Sequence, residues 1–208
     1  MRLPAWAFIN LLLLLSLPAL ASPVYRAGEK GSLRSVLHGE VSASYLFSSH
    51  QVQSFTKEDV SEHLKGMQGR ALWAPLGWLA VGAEFTSLQQ TELLPMVEKY
   101  KTHRTAGVVK LTLSPNTNPR FYLLAGLGKS QHRLEYNRSF RPVRRRAPVD
   151  KDFSYWTVAL GTEADVWKFI FIAAEGSLLR YSGTKLANYY ELTSRTETAL
   201  HLRAGIRF

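Results

Sequence analysis

Thr198-Ala-Leu-His-Leu-Arg-Ala-Gly-Ile-Arg-Phe208 alternates between apolar and polar side chains and ends on an aromatic residue. The even positions from 200 to 208 are apolar, whereas the odd positions carry His201, Arg203 and Arg207. Because successive side chains of a strand point to opposite faces, this stretch predicts a strand with one apolar and one charged face. In a soluble sandwich the charged face would lie in bulk water, whereas in a closed membrane barrel it would line a polar lumen.

The N-terminal segment favours the second alternative because it has the pattern of an export signal. Arg2 supplies a positive charge, residues 8–17 form a leucine-rich apolar run, and residues 19–21 give the small-x-small pattern of a cleavage site. The apolar run is shorter than the roughly 20 residues that a membrane-spanning helix needs. We therefore expect residues 1–21 to be a cleaved signal peptide and residues 22–208 to form one domain.

The composition excludes several kinds of site. The chain has no cysteine, so a disulfide framework, a thiolate metal site and a lipid anchor on a cysteine are excluded. Its six histidines show no paired metal-ligand spacing, and we expect neither a metal nor a cofactor. The hydrophobic content is 46%, and no long apolar run follows residue 21. This composition fits strands that present only alternate residues to lipid.

Segments of roughly ten residues alternate along the whole domain, and this is the length that a tilted strand needs to cross a bilayer. They span residues 36–47, 65–73, 78–88, 101–113, 120–134, 154–165, 169–181 and 198–208, which makes eight. An even number of strands is what a closed antiparallel barrel requires when both chain ends lie on one side. The predicted fold is all-β, an eight-stranded antiparallel transmembrane β-barrel with an up-and-down meander.

The connections between these segments alternate between short and long. Residues 74–77, 114–119 and 166–168 are short turns, whereas residues 48–64, 89–100, 135–153 and 182–193 form longer loops. In outer-membrane barrels the short turns face the periplasm. Aromatic residues at the strand ends predict two girdles at the membrane interfaces. The turn-side girdle comprises Trp73, Trp78, Phe121, Trp167, Phe169 and Phe208, and the loop-side girdle comprises Tyr45, Phe47, Tyr100, Tyr136, Phe153, Trp156 and Tyr181.

The domain resembles the small eight-stranded outer-membrane β-barrel family, which includes the OmpA transmembrane domain and OmpX. The resemblance is carried by the cleavage site at 19–21, the tripeptides 82–84 and 174–176 with an inward glutamate, the strand 124–128 and the terminal Phe208. It implies a location in the outer membrane of a Gram-negative bacterium. It also implies that Phe208 belongs to the signal read by the barrel-assembly machinery. The chain lacks the peptidoglycan-binding domain of full-length OmpA, so we expect no cell-wall tether.

Charged residues on the inward faces predict a network that fills the lumen. An eight-stranded barrel is only wide enough for its own side chains, and buried charges need partners. We expect Glu40 to lie near Arg203, because the first and last strands must pair to close the barrel. The predicted network comprises Glu40, Glu84, Glu163, Glu175, Arg70, Arg104, Lys110, Arg203 and Arg207. The alternative is a narrow pore for ions or small solutes.

The loop at residues 135–153 holds the densest charge in the chain. Its arginines are Arg138, Arg141, Arg144, Arg145 and Arg146, and they outnumber its carboxylates. Guanidinium groups suit bidentate contact with phosphate. The loop therefore predicts an outward surface for lipopolysaccharide or another polyanion. The alternative is a solvated loop without a dedicated ligand.

No catalytic site is predicted, although some barrels of the resembled family modify lipid A. A deacylase of that kind uses His-x-Ser with a supporting Glu; this chain has no His-x-Ser, and residues 103–105 are its nearest substitute. We expect a non-enzymatic, monomeric outer-membrane protein that serves surface interaction or envelope integrity. Its expected partners are outer-membrane lipids and lipopolysaccharide, with no nucleic acid. A lipid A-modifying enzyme and a surface receptor stay open as alternatives.

Overall fold

The computed structural model describes residues 38–49, 52–54, 64–90, 97–136, 147–187 and 190–208. The strands are β1 (His38–Ser48), β2 (Val52–Ser54), β3 (Lys65–Leu76), β4 (Leu79–Gln90), β5 (Val97–Thr112), β6 (Arg120–Tyr136), β7 (Val149–Asp165), β8 (Ile170–Tyr181), β9 (Lys185–Ala187), β10 (Tyr190–Leu192) and β11 (Thr196–Arg207). Residues 1–21, the predicted signal peptide, lie outside the described residues.

The barrel is closed, and each of its strands pairs antiparallel with its neighbours. Around the wall the order is β1-β11-β8-β7-β6-β5-β4-β3. These are the predicted segments in their predicted meander, so the expected all-β fold is confirmed. The main difference is length, because β5, β6 and β7 extend further towards the long loops than the alternation of apolar residues indicated.

The barrel closes where β1 pairs with β11, from Glu40 opposite Arg207 to Ser48 opposite Ala199. Phe208 continues this pairing: its amide donates to the carbonyl of Gly39 at 2.9 Å, and its carbonyl accepts from the Gly39 amide at 2.7 Å. A Cβ atom on residue 39 would lie 2.5 Å from the ring of Phe208. The glycine therefore gives the terminal aromatic ring room to pack against the seam.

The outer wall is an apolar belt to which every barrel strand contributes. Representative exposed side chains, one from each strand, are Val41, Met67, Phe85, Val109, Leu123, Val158, Ile172 and Leu202. A continuous exposed apolar surface of this kind is unstable in water and suits contact with lipid. Within the described ranges, no helix has the length and hydropathy needed to cross a membrane.

The aromatic girdles are confirmed on one side only. All six predicted turn-side aromatics are exposed on the outer wall. On the loop side, Tyr45, Phe47 and Trp156 are also exposed. The prediction was wrong for Tyr100, Tyr136, Phe153 and Tyr181, which are buried. These residues share the inward face of their strands, and their rings pack inside the barrel.

A second, small sheet covers the loop end of the barrel. It has the order β2-β10-β9 and is built from the connections between β1 and β3 and between β8 and β11. Its buried side chains are apolar, and they join one cluster with inward residues of the barrel. The cluster at this end includes Val52, Leu64, Leu134, Leu186, Tyr190 and Leu192. The barrel thus has an apolar layer above its charged interior.

Candidate functional site

The inward faces of the strands collect the charged side chains in the lumen. Among the described residues, the inward carboxylates are Glu40, Glu84, Glu163, Asp165, Glu175 and Glu197, and the inward cations are Arg70, Arg104, Lys110, Arg120, Arg203 and Arg207. The structure brings together every residue of the predicted network. The equal numbers of opposite charges mean that the described interior carries no excess charge from these groups.

At the turn end, Lys110 lies between two carboxylates. Its Nζ atom is 2.9 Å from Glu40 Oε2 and 2.5 Å from Glu163 Oε2. Arg207 donates to Glu163 Oε1 at 2.7 Å and to Asp165 Oδ1 at 2.5 Å. The expectation that Glu40 lies near Arg203 was wrong, because the register places Arg207 opposite Glu40.

In the middle of the lumen, Arg70 bridges two carboxylates. Its Nη2 and Nε atoms donate to Glu84 Oε2 on the neighbouring strand at 2.7 and 2.9 Å. Its Nη1 atom donates at 2.7 Å to Glu175 of β8. Strands β1 and β11 separate β3 from β8, so this ion pair crosses the lumen. Arg203 Nη2 lies 3.7 Å from Glu175 and completes the group.

Tyr122 supports Glu175 from a third direction. Its hydroxyl donates to Glu175 Oε2 at 2.9 Å. A Cβ atom at position 161 would lie 2.4 Å from that hydroxyl, so Gly161 on the neighbouring strand leaves the space that the tyrosine occupies. Lys110 lies 4.7 Å from the centroid of the Tyr122 ring, which links the middle group to the turn end through a cation–π contact.

At the loop end of the lumen, Glu197 is the acceptor for three groups. Arg104 Nη2, Tyr181 Oη and Ser48 Oγ each donate to it at 2.6 Å. Glu197 was missed by the sequence analysis, which started the last strand at Thr198. The alternation that places His201 and Arg203 inward extends back to this residue and would have identified it.

These contacts leave little free space beside the Arg70 group. The space enclosed between Gln68, Arg70, Glu84, Arg104 and neighbouring inward residues measures about 10 Å³. A cavity of that size is close to the minimum for a single water molecule. Around Arg70 the side chains are therefore closely packed, and their charges are paired as buried charges require.

The remaining predicted sites are the polyanion loop and the assembly signal. The arginines of the polyanion loop, Arg138 to Arg146, lie outside the described residues, whereas Phe208 is described at the seam. The described residues contain no group of three or more His, Cys, Asp or Glu that could hold a metal ion. His103, in the nearest substitute for a deacylase motif, stacks on Phe85 with a centroid distance of 6.2 Å.

The outer wall becomes polar near the loop end. Lys101 on β5 donates to Glu135 on β6 at 3.3 Å, beyond the apolar belt. This hydrogen bond, with the charges of Lys101 and Arg133, holds the pKa of Glu135 below its ordinary value. Arg133 is also 3.9 Å from Asp150 on β7. Exposed pairs of this kind contribute little to stability, so they mark the polar zone and do not hold the wall together.

No family model and no curated protein matches the chain, but solved structures do. Ail, the attachment invasion locus protein of Yersinia pestis, is 14% identical with a TM-score of 0.53, over 83% of this chain and 99% of that chain. NspA, a neisserial surface protein, is 12% identical with a TM-score of 0.57, over 84% of this chain and 98% of that chain. The chain has the fold of the small eight-stranded outer-membrane β-barrels.

Another outer-membrane barrel of this fold is OprG from Pseudomonas aeruginosa, at 8% identity and a TM-score of 0.55, over 83% of this chain and 96% of that chain. At these identities the similarity establishes the architecture alone. Function has to be argued from the residues of this chain.

Proposed function

We propose that this chain is a non-enzymatic, monomeric protein of the Gram-negative outer membrane, with a lumen closed by ion pairs and an arginine-rich loop that binds polyanions at the cell surface. In this proposal residues 1–21 are removed on export, and Phe208 is part of the signal for the barrel-assembly machinery. The protein then serves surface interaction or envelope integrity.

The bridge that Arg70 forms across the lumen supports the proposal of a closed lumen. Arg70 spans the lumen between Glu84 and Glu175, and its side chain is only 1% exposed. An ion that passed through the barrel would have to displace this bridge and the Lys110 group below it. Breaking a buried ion pair is costly, because it leaves desolvated charges without partners.

Single-channel recording in planar bilayers tests the closed lumen. The refolded protein is expected to show no large steady conductance. The double variant Arg70→Ala/Glu175→Ala removes the bridge across the lumen and is expected to increase conductance. The control Arg133→Ala/Glu135→Ala removes exposed charges from the outer wall and should leave conductance unchanged. A large steady conductance of the unmodified protein would contradict the closed lumen and favour the pore.

The charge of the loop carries the proposal of polyanion binding. Five arginines within nine residues, from Arg138 to Arg146, provide guanidinium groups that can form bidentate contacts with phosphate or sulfate. A protein of the same fold, Ail, has been solved in complex with the heparin analogue sucrose octasulfate. Lipopolysaccharide phosphates are the corresponding acidic groups at the cell surface.

Binding measurements on loop variants test this proposal. The triple variant Arg144→Gln/Arg145→Gln/Arg146→Gln is expected to weaken binding to lipopolysaccharide and to heparin, with a strong dependence on salt. Lys168→Gln, at the turn end of the barrel, is the control and should bind as the unmodified protein does. Unchanged binding by the triple variant would remove polyanion binding from the proposed function and leave a solvated loop.

A further inference from the structure

The outer wall has a depression in its lipid-facing surface. We call it the outer groove; its floor is formed by Gly69, Ala71, Ala83 and Gly107 of β3, β4 and β5. Its volume is about 700 Å³, and it is an open depression in the wall and not an enclosed pocket. The lining of the groove exposes mainly apolar atoms, as an acyl chain would require.

The strand register produces this groove. Ala71 lies opposite Ala83, and Ala83 lies opposite Gly107, so three adjacent strands carry small outward residues in one row. The same row continues to Val41 on one side and to Leu127 on the other. Leu127 is 73% exposed and projects from the wall. The small residues are therefore flanked by larger apolar side chains.

The barrel itself does not require glycine in the floor of the groove. A Cβ atom added at Gly69 or Gly107 would have no other described atom within 4 Å, and neither residue has a left-handed backbone. This differs from Gly39 and Gly161, where a side chain would collide with an aromatic residue. The space over Gly69 and Gly107 is thus open to an external molecule.

The end of the groove nearest the long loops carries a cation. Lys129 on β6 lies opposite Thr105 on β5, and both line the groove. Lys129 is exposed and has no carboxylate partner among the described residues. By contrast, Lys101 and Arg133, higher on the same wall, both pair with Glu135. The combination is an apolar groove whose upper end carries a positive charge that no described carboxylate neutralises.

We infer that the outer groove binds one acyl chain of lipid A, with a lipid A phosphate on Lys129. The inference rests on the proposed location in the outer membrane, where the long loops face outward and lipid A forms the outer leaflet. The acyl chain would lie along Gly69, Ala83 and Gly107, and the phosphate would lie at the membrane surface. Charge complementarity at Lys129 selects a phosphorylated lipid over a neutral one.

Native mass spectrometry of the refolded full chain, titrated with purified lipid A in detergent, tests this site. Gly107→Leu fills the floor, and Ala204→Leu on the outward face of β11 is its matched control. Gly107→Leu should weaken lipid A binding about tenfold, because the four carbon atoms of the leucine side chain occupy the floor and remove packing contacts with the acyl chain. Ala204→Leu should bind as the unmodified chain does. Heat-modifiable migration on a gel verifies that both variants are folded.

A charge variant tests the phosphate contact separately. Lys129→Gln should weaken binding of lipid A by about threefold, as expected for one exposed ion pair, and should leave binding of dephosphorylated lipid A unchanged. Lys168→Gln at the turn end is the control. If Lys129→Gln weakens binding of lipid A and of dephosphorylated lipid A equally, Lys129 does not bind the phosphate. If Gly107→Leu and Ala204→Leu bind lipid A equally well, the outer groove is not the site of the acyl chain.

Two further outcomes distinguish a lipid site from a contact between copies of the chain and from the loop. If Gly107→Leu instead abolishes a dimer seen by sedimentation in detergent, the groove is a contact between two copies and the inference is wrong. Heparin has no acyl chain, so unchanged heparin binding by the loop variant removes the loop proposal without altering the lipid A result. A mature chain that stays monodisperse without detergent would overturn the membrane location itself.

Discussion

Removal of the Arg70 side chain should destabilise the barrel more than removal of any exposed charge. Arg70→Met keeps the volume and apolar stem of the side chain but leaves Glu84 and Glu175 without the guanidinium that binds both. Glu175 retains the Tyr122 hydroxyl at 2.9 Å and Arg203 at 3.7 Å. Glu84 loses its ion pair with Arg70 at 2.7 Å.

The expected loss follows from the burial of these groups. The side chains of Arg70, Glu84 and Glu175 are 1%, 7% and 1% exposed, so water cannot replace the missing cation. Removing one partner of such a buried pair costs about 3–5 kcal/mol in the free energy of unfolding. Arg133→Met is the control, since Arg133 is 46% exposed and a surface pair contributes about 1 kcal/mol or less.

Urea unfolding in lipid vesicles, followed by tryptophan fluorescence, gives the free energy by linear extrapolation. The double variant Arg70→Met/Glu84→Gln restores the balance of charges and should recover a large part of the loss. The reasoning is refuted if Arg70→Met destabilises the barrel no more than Arg133→Met does. It is also refuted if the double variant is no more stable than Arg70→Met alone.

Three other predictions concern the loop end, the seam and the outer wall. Glu197→Gln should destabilise the barrel by about 3 kcal/mol in the same urea assay, because buried Arg104 loses its ion pair; a change below about 1 kcal/mol would contradict the buried geometry. Phe208→Ala should lower the yield of assembled barrel in cells while leaving refolding in vitro nearly unchanged, since Phe208 is 65% exposed; equal yields would remove its role in assembly. The fluorescence of Trp156, at the upper edge of the apolar belt, should be quenched by lipids with brominated acyl chains. The difference between the unmodified protein and Trp156→Phe gives the contribution of Trp156 to the fluorescence. If that contribution is not quenched, Trp156 does not contact lipid.

Most of the fold could be predicted from the alternation of residues, because the apolar belt imposes one pattern on every barrel strand. The segment 198–208 shows this directly: Leu202 is exposed and Arg203 is buried, as their positions require. The small sheet of β2, β9 and β10 could not be predicted in this way. Its strands are three residues long, too short to show a period, and they are specified by packing over the end of the barrel.

The errors in the site have two different causes. Tyr100 and Tyr181 were assigned to an outer girdle by their position at strand ends, although Thr102 and Ser177 on the same faces indicate the inward side. There the alternation was the better guide, because a one-residue change reverses the face. The partner of Glu40 is a matter of register across the closing seam. Register depends on the stagger of the whole barrel and cannot be read from one strand.

The pairing of β1 with β11 has a consequence for how the chain reaches its folded state. Glu40 and Arg207 meet across 167 positions of sequence, so one edge of β1 has no partner until the C-terminal strand is delivered. Such late, non-local closure slows folding, and an open strand edge recruits other chains in the meantime. The free edge of β1 therefore stays open to other chains until β11 has been made and pairs with it.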